Sequence, residues 1–212
     1  MSPGTRNDRS YYRRTYRDDD DPWSEMSVLD HRTEQWIEQY CSGNRTNSWM
    51  LDLGCGRGRI CSLFAKDGFN AVGLDYLEDP LRKARNTHRH DRTFYVRGDA
   101  FKVPLQDSTM DTIVDYGCFH HVRKRDWQQY KQEVDRLLCP GGYMFINVFS
   151  VEDDHGNRGD RKWNRHKGHY DRFFERDDLR KILGEPFEEI EHYPLQVDGH
   201  HFHHHLFKKE PF

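Results

Sequence analysis

No stretch of this chain comes near the roughly 18 consecutive apolar residues that a membrane-spanning helix requires. Apolar residues make up 34% of the 212 positions and charged residues 33%, so the hydrophobic material must be gathered into short core segments. The opening MSPGTRNDRSYYRR has no apolar run of the kind a secretory leader carries. Cysteine is sparse and unpatterned: Cys41, Cys55, Cys61, Cys118 and Cys139 are odd in number and form no C-x-x-C pair. That spacing indicates neither a disulfide framework nor a zinc knuckle, and a reducing cytoplasm is the expected setting. An excess of one charge is missing too. A net charge of -3 argues against a dedicated nucleic-acid binder. Nothing in the sequence sets an oligomeric state.

What is present is concentrated first in Trp49 to Gly58, WMLDLGCGRG. An apolar run that breaks into glycines reads as a buried strand ending in a loop that passes close to a ligand. Gly54, Gly56 and Gly58 can take positive φ and leave room that a Cβ would fill. The following RICSLFAK has apolar residues at helical spacing, so the loop opens onto a helix N-terminus, which favours negative ligand groups. A dinucleotide fingerprint, G-x-G-x-x-G, would put its third glycine at position 59, where Arg59 stands.

The G-x-G-x-G spacing with Asp52 ahead of it resembles motif I of the class I S-adenosylmethionine-dependent methyltransferases. Four further segments follow in that family's order. AVGLD ends in Asp75, FYVRGDA contains Asp99, MDTIVDYG contains Asp115, and LLCPGGY reads as a helix stop and sharp turn into a fifth strand. The resemblance implies an α/β, Rossmann-like fold: a mostly parallel seven-stranded sheet with helices on both faces and a C-terminal antiparallel hairpin. It implies S-adenosyl-L-methionine as cofactor, with Asp52 toward its ammonium group, Asp75 toward the ribose hydroxyls and Asp99 toward the adenine amino group. Gly54, Cys55, Gly56, Gly58, Tyr76, Ala100, Phe101, Asp115 and Tyr116 complete the implied cofactor-binding set.

Residues 1–21 combine arginines with an aspartate run and are expected to be a flexible tail, although Tyr11, Tyr12 and Tyr16 have little use in one. Residues 22–212 are expected to be a single domain. Pro22-Trp23 ahead of motif I resembles the thiopurine and tellurite-resistance type of small-molecule methyltransferase, in which this segment covers the cofactor. Trp23 would then line the acceptor side; alternatively it pins the tail to the core. Residues 151–170 lack apolar periodicity; a polar connection this long after the fifth strand is expected to be a lid or substrate loop. Trp163 and Tyr170 are its expected anchors, with Phe119 and Phe149 also assigned to the substrate side. Phe173 to Leu183 reads as the last helix region. Phe187 to Val197 and His201 to Lys208, joined through Asp198-Gly199, read as the hairpin.

For chemistry, the resemblance implies in-line displacement at a sulfonium methyl, which needs no protein nucleophile. The DYGCFHHV stretch also resembles small-molecule methyltransferases. His120 or His121 could deprotonate an acceptor there, or one could cap the next turn or pack on the adenine. Amide and exocyclic-amine methyltransferases carry N-P-P-Y or D-P-P-Y where this chain has Asp115-Tyr116-Gly117-Cys118, and the cysteines do not form an arsenite-methyltransferase cluster. The expected acceptor is therefore another small molecule, with a thiol, selenol, hydroxyl or metalloid oxyanion considered. Two other readings stand beside it: a non-catalytic cofactor-binding protein, and an RNA- or protein-modifying enzyme supported only by the arginine-rich tail. Strand alternation in HHFHHHLF places His201, His203 and His205 on one face. Neighbours along one strand rarely close a metal site, and no metal is expected.

Overall fold

The computed structural model describes residues 6–17, 30–41, 43, 45–153, 162–166 and 169–211. In chain order the elements are α1 (Arg6–Arg17), α2 (His31–Tyr40), β1 (Trp49–Leu53), α3 (Arg59–Lys66), β2 (Asn70–Asp75), α4 (Glu78–Thr87) and β3 (Thr93–Arg97). They continue with β4 (Met110–Tyr116), α5 (Trp127–Leu137), β5 (Leu138–Phe149), β6 (Trp163–His166), β7 (His169–Arg172), α6 (Asp178–Leu183), β8 (Phe187–Val197) and β9 (His200–Lys209). Among the described residues no helix is long and apolar enough to cross a membrane.

Alternation along β1 divides the core. Leu51 and Leu53 face the layer of α5 and α6, where they join Ile113, Tyr130, Val134, Leu137 and Leu179. Met50 faces the opposite layer, with Trp36 and Ile37 of α2 and Phe64 and Ala65 of α3. The seven strands run β3-β2-β1-β4-β5-β9-β8. Strands β1 to β5 pair in parallel, whereas β9 and β8 are antiparallel. Strand order reverses between β1 and β4, which opens a crevice at their carboxyl ends, the place where open α/β sheets bind ligands.

Three sequence expectations change. First, residues 6–17 of the expected tail are a helix that contacts α4 and β7. Tyr12 and Tyr16 lie one turn apart and turn inward, a pattern diluted in the sequence by the surrounding arginines. Second, the PGG turn belongs to β5: pairing with β4 reaches back to Leu138, with a register shift between Met110 and Thr112. At Gly142 a Cβ would stand 2.9 Å from the Asp111 carbonyl oxygen, so this close strand crossing requires glycine. Third, the 151–170 stretch contains β6 and the start of β7, which pair from Trp163↔Arg172 to His166↔His169. Residues 154–161, 167 and 168 lie outside the described residues. Phe173 and Phe174 precede α6 and are fully buried.

Candidate active site

The glycine loop after β1 adopts the backbone its spacing requires, with φ of +75° at Gly54, +51° at Gly56 and +76° at Gly58. A Cβ on Gly56 would lie 2.7 Å from the Tyr16 hydroxyl, and one on Gly54 would lie 2.9 Å from Cys118 Cβ. The loop is braced by Asp75, whose carboxylate accepts from the amides of Gly56 at 3.1 Å and Leu77 at 2.8 Å. Asp52, near the end of β1, is buried and accepts from the Cys61 thiol of α3 at 3.6 Å. Asp99 accepts from the Phe101 amide at 3.1 Å. Cys55 is buried against Cys61 beneath Gly73. Ala100 and Phe101 are half-buried at the edge of the α5-side core, and Tyr76 packs edge-on against Tyr12.

Asp115 does something different from a ligand-facing acid. Its side chain is fully buried: Oδ1 accepts from the amides of Cys118 (2.8 Å) and Phe119 (2.9 Å), and Oδ2 from the Tyr130 hydroxyl (2.5 Å). It therefore shapes the turn after β4, leaving only its backbone for the crevice. Burial, opposed by the Tyr130 and backbone hydrogen bonds, pushes its carboxyl up to about 6. Such a raised group adds stability below its unfolded value near 3.9 and loses it as pH rises through 6. Replacing Tyr130 with Phe removes the opposing donor. We expect a stability loss on the order of 1.5–3 kcal/mol, larger at pH 8 than at pH 5, measured by urea unfolding at both values.

Burial likewise pushes Asp52 to about 7, with Asp115 and Asp75 adding repulsion, and Asp75 to about 6. Several carboxylates thus lie close together here, and burial with the neighbouring acids disfavours the charge on Asp52. That donor set, with the glycine cradle, fits a ligand carrying positive charge and ribose hydroxyls.

On the far side, Cys118 to His121 form a tight turn. His120 is buried and stacks on Phe149 at 4.1 Å between ring centroids. His121 is part-exposed and lies 3.1 Å from Asp171 and 3.0 Å from the Tyr170 carbonyl, both on β7. Asp171 in turn lies 3.1 Å from His169. Burial alone would raise Asp171, but the adjacent imidazoles of His121 and His169 outweigh it and hold its carboxyl well below the usual range. From α1, Tyr11 stacks on His169 at 4.2 Å and Tyr12 meets His121 edge-on at 5.4 Å. The structure thus joins two regions remote in sequence around the crevice, and adds Tyr11, Tyr12, Tyr16, His169 and Asp171 to the residues read from the motifs. The inward pair His169 and Asp171, alternating in HYDR, was the available signal.

Other assignments separate. Phe119 is fully buried among Trp127, Tyr130 and Phe174; it is a core residue, because the turn points it at α5. Trp163 is 37% exposed and stacks on the buried Tyr170 at 6.1 Å. Tyr116 donates to Asp30 at 3.4 Å. Trp23 lies outside the described residues.

The histidines of β9 split between faces. His203 and His205 gather with His192 of β8, with 3.1 Å between the His192 and His203 nitrogens. His204 turns the other way, toward Asn147, Tyr193 and Thr33. Among the described residues no group of three or more His, Cys, Asp or Glu is placed to hold a metal ion. Burial depresses His192 to about 3, and His203 and His204 to about 4. Depressed histidines add stability above their unfolded value near 6.5 and lose it as pH falls through the folded value. Replacing His203 with Gln is therefore expected to flatten the fall in melting temperature between pH 6.5 and pH 4, read by calorimetry.

Residues 51–146 match the methyltransferase domain family. A probable S-adenosylmethionine-dependent methyltransferase of Mycolicibacterium smegmatis is 31% identical over 114 residues, 54% of this chain and 41% of that protein. The human probable tRNA methyltransferase 9B is 28% identical over 127 residues, 58% of this chain and 26% of that protein. Among solved structures, the Burkholderia thailandensis 1,6-didemethyltoxoflavin-N1-methyltransferase, with its substrate and S-adenosylhomocysteine bound, superposes with a TM-score of 0.80. It covers 97% of this chain and 88% of its own at 21% identity.

Proposed function

We propose that this chain, whose residues 51–146 match the methyltransferase domain family, is a class I S-adenosylmethionine-dependent methyltransferase that methylates a small molecule held between the glycine loop and His121. When bound, S-adenosylmethionine supplies an electrophilic methyl group on a sulfonium centre. The chain's own residues supply the rest. Asp52 would hold the ammonium group, Asp75 the ribose and Asp99 the adenine amino group, while the Gly54 to Gly58 loop admits the nucleoside without a clash. Phe149 and Tyr12 bring apolar surface to the space near His121, where excluding water favours a reaction in which positive charge is dispersed. His121 stands ready to take a proton, and His120, packed on Phe149, keeps the wall in place.

The observation that carries the small-acceptor reading is the cover. Helix α1 and strand β7 meet beside the turn that follows β4, where Tyr11 stacks on His169, Tyr12 packs against His121 and Asp171 lies beside both imidazoles. An enclosed site of this kind suits a small acceptor, whose surface such pockets largely bury. The solved neighbour named for a heterocyclic substrate supports this reading, and the tRNA methyltransferase relative supports the competing one. Incubating the protein with methyl-labelled cofactor and, separately, a small-metabolite extract and total tRNA decides between them. Label in the low-molecular-weight fraction is the expected result. Label in tRNA alone overturns the proposal.

A further inference from the structure

On β9, His204 meets three oxygens at Nδ1: the Tyr193 hydroxyl at 3.2 Å, the Thr33 hydroxyl at 3.5 Å and Asp30 Oδ2 at 3.5 Å. Each hydroxyl has one hydrogen and a nearer acceptor in the Asp30 carboxylate, whose Oδ2 lies 2.5 Å from Tyr193 and 2.9 Å from Thr33. No hydrogen is left to point at the ring, so Nδ1 carries its own and donates it to the Tyr193 oxygen. Burial depresses the imidazole to about 4; near neutral pH the ring is therefore uncharged and Nε2 holds the lone pair. Asn147 of β5 lies 2.7 Å from Nε2, and only its amide nitrogen can donate there. The network thereby fixes which way the amide lies, with Nδ2 on His204 and Oδ1 turned away from it.

Asn147 is 4% exposed. Among the described residues its Oδ1 has no hydrogen-bond partner, and that oxygen is not sealed from solvent. Asn147 pairs with Tyr116, the last residue of β4. It follows Phe145 by two residues as Asp52 follows Met50, and Phe145 and Met50 both face the layer of α2 and α3. By alternation Asn147 lies on the same side of the sheet as Asp52, with Phe149 two residues further on. The fold uses only the nitrogen of this amide; the oxygen is left at the carboxyl end of β5, beside the crevice.

We propose that Asn147 is a specificity-determining residue of the acceptor site, its Oδ1 taking a hydrogen bond from an N–H or O–H of the bound small molecule. This rests on the methyl-transfer reading above and narrows its substrate class. An acceptor that places a carboxylate, phosphate or metalloid oxygen at this point meets a lone pair and is rejected. One that lacks the donor leaves a carbonyl oxygen unpaired in a desolvated site, which is how a hydrogen-bonding pocket discriminates most strongly. The half-buried rings of Tyr116 and Phe149 flank this position along the sheet, so a flat aromatic or heteroaromatic body bearing the donor suits it best. Asp30, Tyr193 and His204 are positioning residues: through the hydrogen on Nδ1 they keep the amide of Asn147 from turning over.

The test joins two readouts on the full chain. Long-range proton–nitrogen NMR at pH 8, with the His204 signals assigned by their loss in His204→Gln, is expected to show a protonated Nδ1 and a bare Nε2. A hydrogen on Nε2 would turn the Asn147 oxygen onto the ring and overturn the inference. With the acceptor identified by the labelling experiment, Asn147→Leu should lower kcat/KM for it by roughly 10- to 100-fold, mainly through KM. Affinity for S-adenosylhomocysteine should stay within about threefold of wild type, as for a loss confined to the acceptor. Wild type should discriminate against an analogue whose donor hydrogen is replaced by methyl, and Asn147→Leu should not. Unchanged kcat/KM in Asn147→Leu, or discrimination that survives in it, overturns the inference. Should that variant fail to fold, wild type labelled at asparagine decides: the side-chain carbonyl carbon of Asn147 should shift on titration with the acceptor, and an unmoved signal overturns the inference. Absence of any small-molecule methylation by wild type defeats the functional reading instead, and this inference with it.

Discussion

Asparagine in place of Asp52 should weaken S-adenosylhomocysteine binding by roughly 10- to 150-fold, the range that corresponds to losing a hydrogen bond to a charged group. The same change should make the ligand-free protein more stable at pH 8. Both effects have one cause. The Asp52 carboxyl is pushed up to about 7 by burial, with Asp115 and Asp75 adding repulsion against a partial offset from Cys61. An acid raised in the folded state contributes stability below its unfolded value near 3.9 and loses it as pH rises through 7. At pH 8 the ligand-free protein therefore holds an unfavourable buried charge, which the cationic ligand compensates and Asn removes. A gain of about 1 kcal/mol would raise the melting temperature by ~2–4 °C for a chain of this size. At pH 5 the two proteins should melt alike. Isothermal titration and differential scanning calorimetry at both pH values check the pair. Unchanged affinity would place the ammonium group elsewhere, and a lower melting temperature at pH 8 would mean that Asp52 is structurally paired.

The second large effect concerns the adjacent histidines. His121→Gln should reduce turnover by about 100- to 10,000-fold, while affinity for S-adenosylhomocysteine remains within about threefold of wild type. His120→Gln should reduce turnover less than about tenfold and lower the melting temperature, since its ring is buried against Phe149 and its loss is a packing defect. The two differ because the turn after β4 points consecutive side chains in different directions: Phe119 to the core, His120 to Phe149 and His121 to the crevice. Single-turnover rates beside binding isotherms separate chemistry from affinity. Equal losses in both variants would show that the pair acts as one packing unit.

How far the sequence reached depends on how local the determining physics is. The Gly54 to Gly58 loop and the acids at the strand ends were legible because a strand-to-glycine break and a terminal carboxylate are short-range signals. The β8–β9 hairpin was legible from turn residues between two alternating runs. The β6–β7 pair was not, because WNRH and HYDR are polar and their pairing is decided by what they cover. Helix α1 was hidden in the same way: its arginines dominate composition, and the inward turn of Tyr12 and Tyr16 has meaning only once Gly56 and His121 are in place. Phe119 was misassigned because a motif gives order along the chain but not the direction a side chain takes within a tight turn. Asp171 is the largest omission. A single carboxylate in a charged stretch carries no signal until two imidazoles are found beside it.

Titration calorimetry of the wild-type chain with S-adenosylhomocysteine, and in parallel with NAD, tests most directly whether the crevice between β1 and β4 is a methyl-donor site. Saturable one-to-one binding of S-adenosylhomocysteine, abolished or strongly weakened by Gly56→Val and absent for NAD, is the expected result. Binding of NAD in its place, or S-adenosylhomocysteine binding that Gly56→Val leaves untouched, would contradict the assignment of the glycine loop and its surrounding acids.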